Sequence, residues 1–371
     1  MLEAIIHGKP HIHAELRKVP TPQPGDDEVL IKVVATDSNP KDWKAAMGSS
    51  VMSTTPPPMN QGDDISGTLV SIGRSVNLPF PIGSRVAAFH RMLTPHGSYA
   101  EYAIAPASTT FLIPDNISFE QAAALPLSGM TAALALYRHL DLPKPEPWPQ
   151  NSGTDKPGVL IYGGASAVGA YALQFVKLSG LSPIITVVGK GGDFVRSLQV
   201  TDSNHIIDYR NENVTERVNQ ILGGKKLKYA FDAISHNNTW EKILEAMRGS
   251  DGKYAEGAKL NMVDPPPGDF LANWPKDVEF SRTYVSSAYG EAHKFRDAEE
   301  AKGDGEFATE MYRAWTTYLA DGRLKPHPIE VQPNGLAEVG QGIQALYDGK
   351  VSAKKLVYRI ADTPELEKFQ D

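Results

Sequence analysis

Gly158-Val-Leu-Ile-Tyr-Gly-Gly-Ala-Ser-Ala-Val-Gly169, continuing as Ala170-Tyr-Ala-Leu-Gln-Phe-Val-Lys-Leu-Ser-Gly180, is the stretch from which the fold is read. Val159 to Tyr162 form a short apolar run without helical period, and from Val168 the apolar residues recur at Ala172, Phe175 and Val176. That pattern predicts strand, glycine turn, helix. Such a turn aims backbone N–H groups and the positive end of a helix dipole at one spot, where a pyrophosphate can sit. Gly164, Ser166 and Gly169 have the spacing of a dinucleotide fingerprint, with serine in the middle place where glycine is commoner. The Cβ of Ser166 limits how closely backbone and phosphate approach, while its hydroxyl offers a hydrogen bond instead. Alone, the motif also fits a glycine-rich turn in any α/β domain, so its context decides.

The second apolar run, Pro183-Ile-Ile-Thr-Val-Val188, stands where an NAD site ends its strand on an acid that grips the ribose 2′-hydroxyl. Here the strand leads into Gly189-Lys190-Gly191-Gly192. A lysine without a carboxylate favours a 2′-phosphate, hence NADP(H) over NAD(H). The alternative for Lys190 is a solvated loop lysine.

A chain of 371 residues is long enough for two cores, because single cores stop growing at roughly 250–300 residues. With 41% hydrophobic and 22% charged residues it has an ordinary globular composition. A net charge of −7 argues against nucleic acid or an anionic membrane as partner. Zero cysteines exclude disulfides, thiolate catalysis and cysteine-ligated zinc. No apolar run reaches the length of a membrane span and the N-terminus has no leader pattern, so the expected compartment is cytoplasmic. The tail Glu367–Asp371 matches no targeting signal.

Up to about Pro114 the pattern is mostly strands: Glu28–Ala35, Ile65–Gly73, Ser84–Phe89 and Tyr99–Ile104, punctuated by glycine and proline, as in a compact β-barrel. Thr54-Thr-Pro-Pro-Pro-Met59 reads as a loop. Ser118-Phe-Glu-Gln121 is a capping box, followed by an alanine-rich stretch to Tyr137 expected to be interrupted at Pro126 and Gly129. Prolines 143, 145, 147, 149 and 157 mark an extended connection. Further β runs at Ile206–Tyr209, Tyr229–Ile234 and Lys259–Val263 alternate with helical patterns, predicting a doubly wound parallel sheet. Two amphipathic helices follow, through Phe307 to Tyr318 and Leu336 to Leu346, each stopped by a glycine, Gly322 and Gly349. Lys355–Ile360 reads as a strand returning to the first domain.

Asn39-Pro40-Lys-Asp42, Gly62-Asp-Asp-Ile-Ser-Gly67, Ile82-Gly-Ser-Arg-Val86, Gly97-Ser-Tyr-Ala-Glu-Tyr102, Gln121-Ala-Ala-Ala-Leu-Pro126, the glycine turn and Ser352-Ala-Lys-Lys-Leu-Val-Tyr358 occur together in order. In this the chain resembles the medium-chain dehydrogenase/reductase superfamily, and within it the zinc-free quinone oxidoreductase and enoyl reductase branch. It is most similar to a fungal subgroup that includes trans-acting enoyl reductases of polyketide pathways, such as the lovastatin partner reductase, and toxin-cluster reductases. The resemblance implies a GroES-like β-barrel catalytic domain from residues 1–125 and 291–371, a Rossmann NADP-binding domain over 126–290, and a cleft for the nicotinamide. Zinc-dependent relatives carry Gly-His-Glu where this chain has Gly62-Asp63-Asp64, and a cysteine near Asp37. Carboxylates alone make a poor zinc site, so no metal is expected.

The resemblance further implies which residues form the site. Asn39, Pro40, Lys41 and Asp42 lie near the nicotinamide. Gly164, Ala165, Ser166, Ala167, Val168 and Gly169 hold the pyrophosphate, and Gly189, Lys190, Gly191 and Gly192 the 2′-phosphate. Tyr209 lies by the adenosine phosphate or is a core aromatic, Met262 and Val263 lie by the nicotinamide, and Lys354 and Lys355 stand at the closing strand. Without a metal, reduction of a polarised C=C needs hydride at Cβ, donors for the enolate oxygen and an acid for Cα. Lys44, Asp42 and Thr131 are the catalytic candidates, with ordinary surface or packing roles as the alternative and water as another proton source. His90 and His96 read as structural or solvent-exposed. The expected activity is NADPH-dependent reduction of an α,β-unsaturated carbonyl, on a small-molecule enone or a carrier-tethered polyketide with a polyketide synthase as partner. The alternatives are a quinone or small-enone reductase on free substrates and a non-catalytic nucleotide-binding protein. Lys41, Lys44, Lys354 and Lys355 are candidates for a basic carrier-docking patch, and relatives occur as monomer or homodimer.

Overall fold

The computed structural model describes residues 1–48, 57–149, 157–249, 251–265, 268, 270–364 and 366. Residues 54–56 of the proline-rich loop, 150–156 of the extended connection and the 367–371 tail lie outside the described residues. The chain divides into two compact units: Met1–Leu127 with Ser286–Gly322 and Pro326–Asp371, and Ser128–Val285 with Arg323–Lys325.

The N-terminal segment forms β1 (Leu2–His7), β2 (His13–Lys18), β3 (Glu28–Asp37), α1 (Pro40–Met47), β4 (Asp64–Ile72), β5 (Arg85–Phe89), β6 (Tyr102–Pro106) and β7 (Thr110–Leu112). Helices α2 (Phe119–Ala123) and α3 (Pro126–Leu134) follow. Then come β8 (Val159–Tyr162), α4 (Ala167–Leu178), β9 (Ile184–Val188), α5 (Gly192–Leu198), β10 (Ile206–Asp208), α6 (Val214–Leu222), β11 (Tyr229–Asp232), α7 (Thr239–Met247), β12 (Ala258–Met262) and β13 (Val278–Arg282). The last segment supplies α8 (Ala298–Ala320), β14 (Ile329–Gln332), α9 (Val339–Tyr347) and β15 (Lys355–Arg359).

In the first unit the described strands run β14-β15-β3-β4-β5-β7, with β6 also on β3. Bulges on β3 between Leu30 and Ile31 and between Val33 and Ala35 bend that strand. The apolar residues Val29, Ile31, Val33, Ile65, Leu69, Val86 and Tyr99 meet in one core with Leu356 and Tyr358 from β15. A residue near the end of the chain thereby joins the N-terminal sheet, with Val357 opposite Asp37.

In the second unit the sheet order is β10-β9-β8-β11-β12-β13, and every described pairing is parallel. The chain winds outward from β8 through β9 to β10, then starts again at β11 on the other side. The reversal between β8 and β11 is the place where α/β sheets of this kind open a crevice at the carboxyl ends of their strands. Tyr162 and Asp232 are the registered pair at those ends.

Several expectations were off by more than a boundary. The hairpin β1–β2, the edge strand β13 and the polar β14 carry too weak an alternation to stand out from the sequence. Gly129 does not interrupt its helix: α3 runs through it, and the break falls at Leu125, ahead of Pro126. Proline suits a first helical turn because it has no N–H to leave unpaired, whereas a buried helix tolerates an interior glycine at a cost of about 1 kcal/mol. The Ser118 capping box is present, with Ser118 Oγ accepting from Gln121 N at 3.2 Å and Gln121 Oε1 accepting from Ser118 N at 3.0 Å. Gly322 and Gly349 sit just past α8 and α9 at φ +76° and +66°, the left-handed conformation of a helix stop. Among the described residues no helix is long and apolar enough to cross a membrane.

Candidate active-site elements

In the first unit, β3, β4 and β15 bring charged groups to one buried spot. Antiparallel pairing puts Asp37 at the end of β3 across from β15, while Asp64 opens β4. Lys355 Nζ lies 2.6 Å from Asp37 Oδ2, 3.0 Å from Asn39 Oδ1 and 3.5 Å from Asp64 Oδ2. Asn39 Nδ2 donates to Asp37 Oδ1 at 3.1 Å and to Asp64 Oδ2 at 2.7 Å. Asp64 Oδ1 also accepts the Leu127 N–H at 2.6 Å. All four side chains are buried.

A second group adjoins it through α1. Asp42 Oδ2 accepts the Asn39 N–H at 2.8 Å and the Tyr99 hydroxyl at 2.7 Å, and Asp42 Oδ1 lies 3.0 Å from Lys41 Nζ. Lys41 also pairs with Asp63 and donates to the Gln61 carbonyl. Pro40 is the first residue of α1. Four carboxyl groups thus face two ammonium groups. Burial pushes Asp37 well above the usual carboxylate range despite Lys355, and raises Asp63 to about 7 against the pull of Lys41. Burial opposes the charged form of each lysine, yet the carboxylates of Asp42 and Asp63 raise Lys41, and those of Asp37 and Asp64 raise Lys355. Both lysines therefore stay charged.

These contacts revise the expected basic patch. Lys41 and Lys355 are turned into the protein, and Lys354 pairs on the surface with Glu330. Lys44 is half-buried, its ammonium 5.6 Å from the centre of the Trp43 ring. The four lysines do not make a free basic surface, because buried carboxylates need the charge of two of them. His90 is buried and structural: Nδ1 lies 2.6 Å from the Ile104 carbonyl, and burial lowers it to about 4.

In the second unit, each glycine of the β8–α4 turn has a separate steric reason. Gly163 sits at φ +87°, and a Cβ there would meet Ile234 at 2.3 Å. A Cβ on Gly164 would meet Thr186 Oγ1 at 2.1 Å, and one on Gly169 the Gly163 carbonyl at 2.2 Å. Gly163 is the glycine missed by the fingerprint spacing, and its positive φ is the feature that makes the turn. Ser166 is the N-cap of α4, its Oγ accepting the Gly169 N–H at 3.0 Å, which leaves its own hydroxyl proton to donate. Ala165, Ala167 and Val168 are half-exposed at the mouth of the turn.

At the end of β9, Gly189 packs against Tyr209: a Cβ would stand 3.1 Å from the ring. Tyr209 is 50% exposed, which rules out the core-aromatic reading. Lys190 is exposed, Gly191 and Gly192 are buried, and Arg196 lies over Gly192 while pairing with Asp193 at 2.6 Å. Thr131 is buried in α3. Beyond β11, Asp232 accepts from Ile234 N, Ser235 N and the Thr239 hydroxyl at 3.1, 2.9 and 2.5 Å. Ser235 Oγ in turn accepts from Val263 N at 3.2 Å, next to the buried Met262. This turn-organising role of Asp232 was not read from the sequence, although a carboxylate closing a strand just before Ser and Thr was a visible signal.

The first unit's residues 25–115 match the alcohol dehydrogenase GroES-like domain. The trans-enoyl reductase fsr4 of Gibberella fujikuroi is 37% identical over 336 residues, 90% of this chain and 91% of its own length. The trans-enoyl reductase ACTTS2 of Alternaria alternata is 30% identical over 352 residues, 93% and 95% of the two chains. Among solved structures, the CurK enoyl reductase matches with TM-score 0.69 and 18% identity over 96% of this chain and 98% of its own. The Escherichia coli quinone oxidoreductase complexed with NADPH gives TM-score 0.69 and 21% identity, covering 96% and 100%. At such identities the two structures establish the fold.

Two outcomes follow for the buried charges. Lys355→Met leaves Asp37 and Asp64 without their cation and is expected to destabilise the first unit by about 3–5 kcal/mol, read from its urea transition. Asp63 has a folded-state value near 7 against an unfolded value near 3.8, so between those limits the folded state holds the extra proton and stability falls as pH rises. Asp63→Asn is expected to flatten that slope, and a slope unchanged in urea midpoints from pH 5 to pH 8 would refute the assignment.

Proposed function

The chain belongs to the trans-enoyl reductases, within the medium-chain dehydrogenase/reductase fold, and from that membership we propose that it reduces the C=C of an α,β-unsaturated carbonyl with NADPH and without a metal. The substrate in this proposal is an acyl chain tethered to a polyketide synthase carrier. The observation that carries the reading is 37% identity, over nine tenths of the chain, to a reductase named for that reaction. The turn after β8 supports the cofactor, because three absent Cβ atoms keep it tight enough for close backbone approach.

When bound, NADPH supplies the hydride that the substrate β-carbon accepts. The chain's own part is to hold and orient. The first-turn N–H groups of α4, the mouth residues Ala165, Ala167 and Val168, and the Ser166 hydroxyl take the pyrophosphate. Lys190 and the exposed face of Tyr209 take the 2′-phosphate, with Gly189, Gly191 and Gly192 keeping side chains out of its way. The 2′-phosphate is favoured because no carboxylate stands between Gly189 and Gly192, and Asp193 is already paired with Arg196. Met262 and Val263 form the nicotinamide-side end of β12.

Asn39, Pro40, Lys41, Asp42 and Lys355 act in this reading as positioning residues. Lys41 is paired with Asp42 and Asp63 and Lys355 with Asp37 and Asp64, and the result is a fixed start for α1 from which Lys44 projects. Lys44 stabilises the enolate oxygen, and water or Lys44 returns the proton to the α-carbon. Metal independence is supported by the donor set: carboxylate oxygens at Asp37, Asp63 and Asp64, matched by two ammonium groups, where zinc prefers nitrogen and sulfur.

Purified protein given NADPH is expected to reduce a carrier-tethered enoyl thioester faster than the same enone free in solution, and to keep that rate after chelation. Turnover of free enones or quinones alone would reject the tethered substrate, and tight NADPH binding without any oxidation would make the protein a non-catalytic nucleotide binder. Lys190→Ala is expected to raise the KM for NADPH by about tenfold, the worth of one charge-assisted hydrogen bond, while leaving NADH unaffected. Equal losses for both coenzymes would remove Lys190 from the phosphate site.

A further inference from the structure

The connection from β11 to α7 runs Ala233-Ile-Ser-His-Asn-Asn238, and its backbone is one that its residues do not all favour. Ser235, Asn237 and Asn238 have φ of +56°, +53° and +55°, in the left-handed region. Asparagine tolerates that region, whereas serine is strained in it and glycine adopts it without steric cost. Strain of this kind persists where the surroundings impose it, and it gathers at active sites and ligand clamps. What serine has and glycine lacks is the hydroxyl, and at position 235 the hydroxyl is engaged on both sides.

Ser235 Oγ donates to the Asp232 carbonyl at 3.1 Å and accepts the Val263 N–H at 3.2 Å. That N–H also lies 3.3 Å from the Asp232 carbonyl oxygen. The Met262 carbonyl, in the same peptide group, accepts the Thr283 N–H at 2.9 Å. The peptide that ends β12 is therefore held from both sides, through its N–H by the β11–α7 connection and through its C=O by the residue that follows β13. A peptide group is planar, so fixing both of its polar atoms fixes the direction in which the chain leaves the strand. Asp232 seats the serine in turn: one carboxylate oxygen accepts the Ser235 N–H at 2.9 Å and the other the Thr239 hydroxyl at 2.5 Å.

The start of the connection touches the glycine turn after β8. Ala233 donates its N–H to the Tyr162 carbonyl at 3.1 Å, and Ile234 lies over Gly163 so closely that a Cβ there would stand 2.3 Å from Ile234 Cγ1. Asp232 is in register with Tyr162 on β8 and with Met262 on β12. The connection thus spans the reversal point of the sheet, with the glycine turn on one side and the end of β12 on the other. Asp232, Ser235 and Thr239 are buried while His236, Asn237 and Asn238 are exposed, so the hydrogen bonds on the inner side set the backbone.

We infer that Ser235, seated by Asp232, is a positioning residue: it sets the Val263 backbone, and through it the nicotinamide, at a fixed distance from the pyrophosphate turn. The inference rests on the NADPH reading above, in which Val263 lies on the nicotinamide side. Reacting atoms have to be held about 3–3.5 Å apart, and a misplacement of about 1 Å costs up to roughly a hundredfold in rate. Loosening the last peptide of β12 is a misplacement of that kind. The adenosine half of the coenzyme is held, in the same reading, by the glycine turn and by residues 189–192, which the Ser235 hydroxyl does not touch.

The test is calorimetric titration of the full-length wild-type protein, Ser235→Ala and Ser235→Gly with NADPH and with 2′-phospho-ADP-ribose, which lacks the nicotinamide. Both variants are expected to bind the fragment within about twofold of wild type and to lose about tenfold in NADPH affinity, the upper range for one hydrogen bond. Their kcat for a carrier-tethered enoyl thioester is expected to fall about tenfold or more. Glycine suits the left-handed backbone, so Ser235→Gly keeps the connection folded and melts no lower than Ser235→Ala. Wild-type NADPH affinity in both variants would overturn the inference. An equal loss for NADPH and the fragment also overturns it, by making the connection a general brace, and so does a loss in Ser235→Ala that Ser235→Gly restores, by placing the effect in the backbone rather than the hydroxyl. Wild-type protein that binds neither compound overturns the NADPH reading, and this inference falls with it; where NADPH binds without turnover, the difference in affinity between NADPH and the fragment decides.

Discussion

Lys355 has to remain charged inside the protein, and much of the first unit is arranged to make that tolerable. A buried ammonium is costly unless opposing charge and hydrogen bonds surround it, and here Asp37, Asp64 and Asn39 do so from two strands and a helix cap. Satisfying it fixes where β3 ends, where β4 begins and how β15 sits against them. Because Asn39 also hands its N–H to Asp42, the same constraint reaches α1, Lys41 and Asp63. Four acids against two bases leaves the spot short of positive charge, and burial holds Asp37 and Asp63 above the usual carboxylate range.

Much of the architecture could be read from the sequence because its causes are local. The alternation of apolar runs with helical periods marks a parallel sheet, and the glycine turn after β8 announces itself because no other residue fits its backbone. Gly322 and Gly349 end their helices for an equally local reason. What failed to show were β1, β2, β13 and β14, whose own residues alternate weakly. Gly129 misled for the opposite reason: its propensity argued for a break that the surrounding packing overrides.

The chemistry divides along the same line. The place of Ser166 and Gly169 at the start of α4 was legible because a strand, glycine turn and helix are written in adjacent residues. The engagement of Lys355 was not, since its partners Asn39 and Asp64 stand 316 and 291 residues away. A lysine beside another lysine on a closing strand looks like surface charge until the fold shows that only one of the two, Lys354, faces outward. The exposure of Tyr209 was equally invisible, because a tyrosine after an apolar strand suits a core as well as a ligand. Family likeness supplied names for positions; it did not supply the pairing that gives those positions their charge state.

The return of β15 to a sheet whose other strands come almost entirely from the first third of the chain has a bearing on how the protein is made. The second unit is nearly one continuous stretch and has all its parallel strands once residue 282 has been synthesised. The first unit must wait with two acidic side chains and an open sheet edge until the ribosome delivers residue 355. During that interval the edge of β3 is exposed to pairing with other chains, so the nascent protein is most vulnerable to aggregation in the part that was translated first.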